Sequence, residues 1–259
     1  MKVKVVLVGL SWWCISSLIV SLMLTVQCDA ALDLDSVVGM WLLDDGNGKK
    51  VKDISGKGND GKLMEAKWVD GKFDKALEFD GKTALVDCGM DDSLNIKQGT
   101  FGLWLNFGAA PADAGHLMNP LAKSDQYWIH ASGDDSIQAK INVAGERYVA
   151  KTDPKFIKKG TWYHTFGIYD GATLKLYVNG EEKAKTKVKK GDLNINKAKI
   201  LAIGTWSDKV DYFQGTIDEV VVTTQVLSRA EIGVIFNVGL LAVSPAGKLT
   251  IAWGSIKSR

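Results

Sequence analysis

From residue 32 to residue 242 short apolar runs are separated by turn dipeptides: Asp60-Gly61, Asp70-Gly71, Asp80-Gly81, Asp170-Gly171 and Asn179-Gly180. Tight hairpin turns place central residues at positive φ, which Gly and Asn tolerate at least cost, so this punctuation is that of antiparallel β structure. The segment Thr161–Glu182 shows the period directly. Trp162, His164, Phe166 and Ile168 fall on one face of an extended run, Leu174, Leu176 and Val178 on one face of the next, and Asp170-Gly171 lies between them. Further strands are predicted over 37–43, 76–79, 84–88, 100–107, 127–131, 137–143, 200–204 and 215–222. No comparable stretch has helical period until Ser228, where a hydroxyl three residues ahead of Glu231 makes a capping box and Gly239 supplies a stop. So many strands without intervening helices cannot pair in parallel, because parallel pairing needs long crossovers. The expectation is all-β: two antiparallel sheets in a sandwich, each burying one face against the other, with one short C-terminal helix.

With 46% hydrophobic and 24% charged residues the chain can fill a large core. Its formal net charge of +2 offers no field for nucleic acid. The one basic run, Lys183 to Lys190, alternates Lys with small or apolar residues and reads as a solvated edge strand, whose positive charge also discourages pairing with other chains. Only Cys88 lies in the body of the chain, so no internal disulfide framework exists there. Placed between Val86 and Gly89, Cys88 reads as a small buried hydrophobe.

Lys2 and Lys4 precede an apolar tract from Val5 to Val26, and Cys28-Asp29-Ala30 carries small residues where a signal peptidase cuts. Residues 1–30 are therefore expected to be an export signal, giving a secreted or surface location; the tract is also just long enough to be an uncleaved anchor, the one route by which the chain would meet a membrane. Residues 31–241 are expected to form one domain, since no linker or repeat interrupts them, and 242–259 to be an extension of unassigned role.

Five segments in order carry a family resemblance: WLLDDGNGKKVKDISGKGNDGKL, KALEFDGKTALVDCG, GTFGLWLNF, the Thr161–Glu182 hairpins and FQGTIDEVVVTTQVLSRAEI. Together, over residues 36 to 237, they resemble the laminin-G-like jelly-roll domains of the concanavalin A-like lectin/glucanase superfamily. The resemblance implies a curved jelly-roll sandwich used in carbohydrate recognition, adhesion or glycan degradation. It also implies a single structural calcium on the convex side, with Asp218 of GTIDE as side-chain ligand and Asp44 and the carbonyl of Gly81 as partners. Such a hard-oxygen mixture suits calcium. Asp53, Asn59 and Asp60, in the loop DISGKGNDG, are further oxygen donors whose alternative role is to cap turn amides.

Glycosidases of this superfamily carry acids alternating along one strand, as Glu-x-Asp-x-x-Glu or Glu-x-Asp-x-Glu, and neither pattern occurs here. His116, His130 and His164 accompany no nucleophile motif, and His164 is expected to satisfy a backbone group inside the sandwich. Binding is the remaining chemistry. Sugars present apolar C–H faces to aromatic rings and hydroxyls to acids and amides, which requires exposed rings beside polar groups. The loop GTWSDKVDYFQG supplies Trp206, Asp208, Asp211 and Tyr212, and Asp125-Gln126-Tyr127-Trp128 supplies Trp128. Trp41, Trp104 and Trp162 are expected in the core. The sequence thus points to a secreted, non-catalytic module for a glycan or glycoprotein ligand. A polysaccharide hydrolase or lyase with acids on separate strands, and a purely structural protein-interaction module, are the alternatives.

Overall fold

The structure is a computed structural model and describes residues 32–207 and 209–240. The proposed leader, the C-terminal extension and Asp208 lie outside the described residues. Sixteen strands follow in order: β1 (Val37–Trp41), β2 (Lys50–Val51), β3 (Gly61–Met64), β4 (Lys67–Asp70), β5 (Lys75–Asp80), β6 (Leu85–Asp87), β7 (Gly99–Phe107), β8 (Met118–Lys123), β9 (Tyr127–Ala131), β10 (Ile137–Val143), β11 (Glu146–Lys151), β12 (Trp162–Tyr169), β13 (Thr173–Val178), β14 (Glu181–Lys187), β15 (Leu201–Ile203) and β16 (Gln214–Thr223). They form two antiparallel sheets of eight strands. The first runs β14-β13-β12-β7-β16-β5-β4, with β1 also on β16, and the second runs β11-β10-β9-β8-β15-β6-β3-β2. The lysine-rich run is the edge strand β14, as its charge pattern predicts.

Alternation divides each strand between two environments. On β7, Phe101, Leu103, Leu105 and Phe107 enter one core shared by both sheets, together with Tyr127, Ile129, Ile137, Ala139 and Ile141 of the second sheet. Trp41 belongs to this core. Trp104 does not: one residue out of phase with Leu103 and Leu105, it lies on the outer face of the first sheet. There it stacks on Phe236 of the C-terminal helix (Arg229–Val238) with centroids 5.5 Å apart. Trp162 is half-buried on the same outer face, edge-on to Trp104. Trp104 is buried as expected, but under the helix and not between the sheets, and half-buried Trp162 is a correction to the core expectation, because periodicity shows that residues share a face but not which face meets the other sheet.

His164 is a second correction. Its ring lies outside the sandwich, among Trp104, Phe166 and Phe236, and its buried Nδ1 has no hydrogen-bond partner, so it satisfies no backbone group through that atom. The helix covers this face through Ile232 and Ile235, which pack with Val37, Met40, Phe166, Ile168 and Val221 in a second cluster. Its start is as predicted: Ser228 Oγ accepts the Glu231 amide and Glu231 accepts the Ser228 amide.

Turn chemistry is borne out at Asn179 and Gly180, with φ of 53° and 78°, and at Gly81 and Gly171. Gly61 differs. It opens β3 instead of closing a turn, and a Cβ there would stand 2.4 Å from Val86 Cγ1, so close packing is what requires glycine. The strand β8 escaped the pattern because Pro120 interrupts it; the register shift between Met118 and Leu121 accommodates the missing amide. A one-turn helix at Pro111–Ala114 is an addition to the expected single helix.

Candidate functional site

The central strand β16 explains where the predicted metal residues meet. Its first half pairs with β5, Ile217 opposite Leu77, and its second half pairs with β1, Val220 opposite Trp41, so β1 and β5 lie end to end along it. At the junction the register shifts between Asp218 and Val221, and Glu219 adopts φ 46°. A bulge at such a position re-aims a side chain. Asp218 is fully buried, and its Oδ2 accepts the amides of Lys72 and Phe73 at 2.9 and 3.0 Å. Asp44, three residues beyond β1, accepts the Lys75 amide at 3.1 Å on the same β4–β5 turn. Gly71 has no room for a side chain: a Cβ would fall 2.7 Å from Asp218 Oδ2.

Three carboxyls crowd this junction. Burial pushes Asp44 up to about 6 and Asp218 to about 7, and the negative neighbours add to both shifts. Burial pushes Glu219 to about 8, although both its oxygens face the Leu240 amide at 3.1 Å. The Oδ1 of Asp218 is buried and makes no hydrogen bond of good geometry, although the Glu219 amide lies near the carboxyl. A buried oxygen acceptor left under-satisfied, beside a second carboxylate that raises its proton affinity, fits a hard cation. Among the described residues no three His, Cys, Asp or Glu side chains converge in metal-binding geometry. A cation held by Asp218 and Asp44 would have to draw its remaining oxygens from backbone and water.

The other predicted metal ligands lie elsewhere. Gly81 follows the far end of β5, beside Gln214, so the length of that strand separates its carbonyl from Asp218. Asp53 spends both oxygens on protein donors: Oδ1 on the amides of Met40 in β1 and Ser55, Oδ2 on the Asn59 amide and Ser55 Oγ. Asn59 joins it by bonding the Val38 carbonyl, and Asp60 accepts the Asp53 amide and pairs with Lys50. The loop holds itself together with the oxygens that sequence offered to a metal.

The predicted ligand-binding residues divide differently. Trp128 on β9 and Trp206 on the β15–β16 loop meet edge to face, with centroids 5.1 Å apart and planes at 82°. They line a cavity of about 270 Å³ with Leu117, Asn119, His130 and Asp211, and with Lys140 and Arg147, which sequence reasoning missed. The sheet register makes this set. Lys140 of β10 sits opposite both Trp128 and Val149, while His130 and Arg147 are two residues along on the same outer face. Alternation within 137–143, set opposite Trp128, is the signal that could have found Lys140; Arg147 needed the β10–β11 pairing.

The loop carrying Trp206 is fixed rather than free. Trp206 exchanges backbone bonds with Lys209 and Val210, Thr205 Oγ1 donates to the Val210 carbonyl, and Ser207 Oγ bonds both Ser124 Oγ and the Ile200 carbonyl. Asn119 ties the cavity floor to this loop: its amide donates to the Asp211 carbonyl at 2.9 Å and its Oδ1 meets His130 Nδ1 at 2.9 Å. Burial, reinforced by Lys140 and Arg147, pushes His130 down to about 3, so the imidazole is neutral at pH 7. The Arg147 guanidinium lies 5.1 Å from the Trp128 ring centroid. Tyr212 is half-buried and outside the cavity lining, and Asp208 lies outside the described residues.

Other cavities differ. One of about 320 Å³ beside the C-terminal helix is also aromatic, with Phe73, Trp104, Trp162 and Phe236 in its lining beside Lys72, Asn179 and Asn237, but among the described residues it holds no acid and only one cation. One of about 600 Å³ among the loops from Asp45 to Asp60 has no aromatic ring in its lining. One of about 370 Å³ is lined by Glu65, Glu78 and Asp80, but its sole ring, Phe79, is buried in the core. Asp80 there is committed to the amides of Lys82, Thr83 and Ala84.

Residues 80–233 match the family Laminin_G_3 of the concanavalin A-like lectin/glucanases superfamily. No curated protein matches the chain significantly in sequence. Among solved structures it is similar to the binding domain of Paraclostridial Mosquitocidal Protein 1, at 16% identity and TM-score 0.65 over 79% of this chain and 52% of that one. It is also similar to Domain 4 of AbnA, an extracellular arabinanase from Geobacillus stearothermophilus, in complex with arabinotriose, at 20% identity and TM-score 0.60 over 77% of this chain and 98% of that one. A third is the botulinum neurotoxin serotype D ligand binding domain in complex with N-acetylneuraminic acid, at 12% identity and TM-score 0.61 over 79% and 51%. The chain thus spans about half the length of the two toxin domains and nearly all of the arabinanase domain. At these identities the likeness is one of fold.

Proposed function

The chain belongs to the Laminin_G_3 family of the concanavalin A-like lectin/glucanase superfamily, and from that premise we propose that it is an exported, non-catalytic module that binds a glycan, free or on a glycoprotein, in the Trp128–Trp206 cavity. The observation that carries the reading is the edge-to-face indole pair on the outer face of the second sheet, rimmed by Asn119, Asp211, Lys140 and Arg147. Half-buried Trp206 offers a ring for the apolar face of a sugar, and the rim offers donors and acceptors to its hydroxyls. Because hydrogen bonds hold the Trp206 loop before any ligand arrives, little ordering entropy opposes binding. The complexes formed by similar folds, with arabinotriose and with N-acetylneuraminic acid, support a sugar as the occupant.

Asp218 and Asp44 are the residues that would hold a structural calcium in this reading; the ion would supply positive charge where burial now leaves Asp218 Oδ1 without a hydrogen bond of good geometry. The apolar tract after Lys2 and Lys4 supports export.

Retention of the purified domain in polysaccharide-containing gels tests the reading. Trp206→Ala should abolish retention while leaving the melting temperature within a few degrees. Unchanged retention across a glycan panel, or release of reducing sugar by the unmodified domain, would overturn it.

A further inference from the structure

The rim of the proposed cavity is asymmetric in charge. Lys140 and Arg147 reach it from adjacent strands, and among the described residues neither makes an ion pair, whereas Lys50, Lys75, Lys97, Lys151, Lys183 and Lys197 all do. Among the described residues Asp211 is the one acid in the lining, and it is turned toward Asn119, whose Nδ2 lies 3.4 Å from its Oδ2. His130 adds no charge at neutral pH, since burial keeps its imidazole unprotonated. Two cations therefore face one acid, in a cavity whose indole walls lower the local dielectric and strengthen whatever charge contact forms there.

We propose that the cavity selects an acidic glycan, placing an anionic substituent of the sugar, a carboxylate or a sulfate ester, between Lys140 and Arg147 while the ring stacks on Trp206. The proposal rests on the glycan-binding reading of the same cavity and adds the charge class of its ligand.

The state of Lys140 supports it. Half-buried and beside Arg147, its ammonium is pushed down to about 8 by burial first and by the Arg147 charge second, with Asp211 and Asp134 acting weakly the other way. An unpaired, partly desolvated ammonium costs free energy that an incoming anion recovers. Arg147 is already oriented by the Trp128 face, and a guanidinium held in one plane can meet a carboxylate or sulfate with two parallel hydrogen bonds.

The test compares three probes on the full chain by calorimetry or gel retention: an oligogalacturonate, the same oligomer with its carboxyls methyl-esterified, and a sulfated neutral oligosaccharide. The acidic probe should bind at least tenfold more tightly than its ester, and its affinity should fall as sodium chloride rises from about 0.05 to 0.5 M, because salt screens exposed charge contacts. Lys140→Met and Arg147→Gln should each remove most of the difference between acid and ester. Arg147→Lys keeps the charge and should retain part of it, which separates charge from packing on Trp128. Binding of the sulfated probe but not the uronate identifies sulfate as the group recognised. Equal binding of acid and ester, lost in Trp206→Ala, would overturn the charge selection while leaving the glycan site intact. Binding of no probe, with Trp206→Ala indistinguishable from the parent on every glycan tried, would overturn both.

Discussion

Asp218 accepts the amide of Phe73 at 3.0 Å through one carboxylate oxygen while its other oxygen is buried without a hydrogen bond of good geometry. Such a half-satisfied acid destabilises the fold unless something supplies the missing contact. Calcium should therefore raise the melting temperature. An ion present at 100 times its Kd adds about 2.7 kcal/mol, which for a domain of this size corresponds to roughly 5–10 °C. Calorimetric scans with calcium and with excess chelator measure the shift, and Asp218→Asn should abolish it. Identical scans of the parent protein in the two conditions would rule the cation out.

Most of the scaffold can be read from residues, and the reason is local. Alternation at 162–168 and 174–178, the Asn179-Gly180 turn and the Ser228 capping box each act within a few positions, and each is where the sequence places it. What sequence reading misses depends on pairings between distant segments. Asp44 meets the Asp218 turn only because β1 and β5 share β16 end to end, and Gly81 falls away from it for the same reason. Lys140 and Arg147 join Trp128 through the register of β9, β10 and β11, which no single segment encodes. Trp104 shows the same limit from the other side, since its phase is plain but the helix that covers it arrives more than a hundred residues later.

Burial without a partner also governs His164. Its pKa is pushed down to about 3 by desolvation, so the native state keeps it neutral while the unfolded chain takes up a proton near pH 6.5. Between those values the unfolded state binds more protons, and the contribution of His164 to stability is fully present above pH 6.5 and lost as pH falls toward 3. The raised carboxyls of Asp44, Asp218 and Glu219 act in the opposite sense, so the informative quantity is the difference between parent and His164→Phe. That difference should shift in favour of the variant by several degrees as melts are taken from pH 7 to pH 4. Parallel curves would show that the imidazole is not held neutral in the fold.

The C-terminal helix is fastened at both ends of its buried face, by the Ser228 cap and by Phe236 stacked on Trp104. Ser228→Ala removes the side-chain acceptor for the Glu231 amide and should cost about 1 kcal/mol. Phe236→Ala strips a ring from Trp104 and His164 together and should cost more, on the order of 3 kcal/mol if the site does not collapse. Urea unfolding gives both values, and Trp104 emission should shift to longer wavelength in Phe236→Ala alone. Neither change touches the Trp128–Trp206 cavity, so glycan retention should survive both.

Lys123 links stability to the binding loop. Although a lysine, it is fully buried at the end of β8, and its ammonium donates to the carbonyls of Asn196 and Lys199. Those carbonyls belong to the segment entering β15, where the Ile200 carbonyl in turn accepts Ser207 Oγ one residue after Trp206. Lys123→Met preserves much of the volume but leaves two carbonyls without their donor, a loss of about 1–3 kcal/mol. It should also slacken the chain from Asn196 through Ser207, so that ordering the Trp206 ring becomes part of the cost of binding and glycan affinity falls severalfold. Amide exchange localises the effect: protection should drop at residues 200–210 ahead of the remainder of the second sheet. If exchange there matches the parent and affinity is unchanged, Lys123 supports the sandwich alone and the loop is held by Ser124 and Ser207 without it.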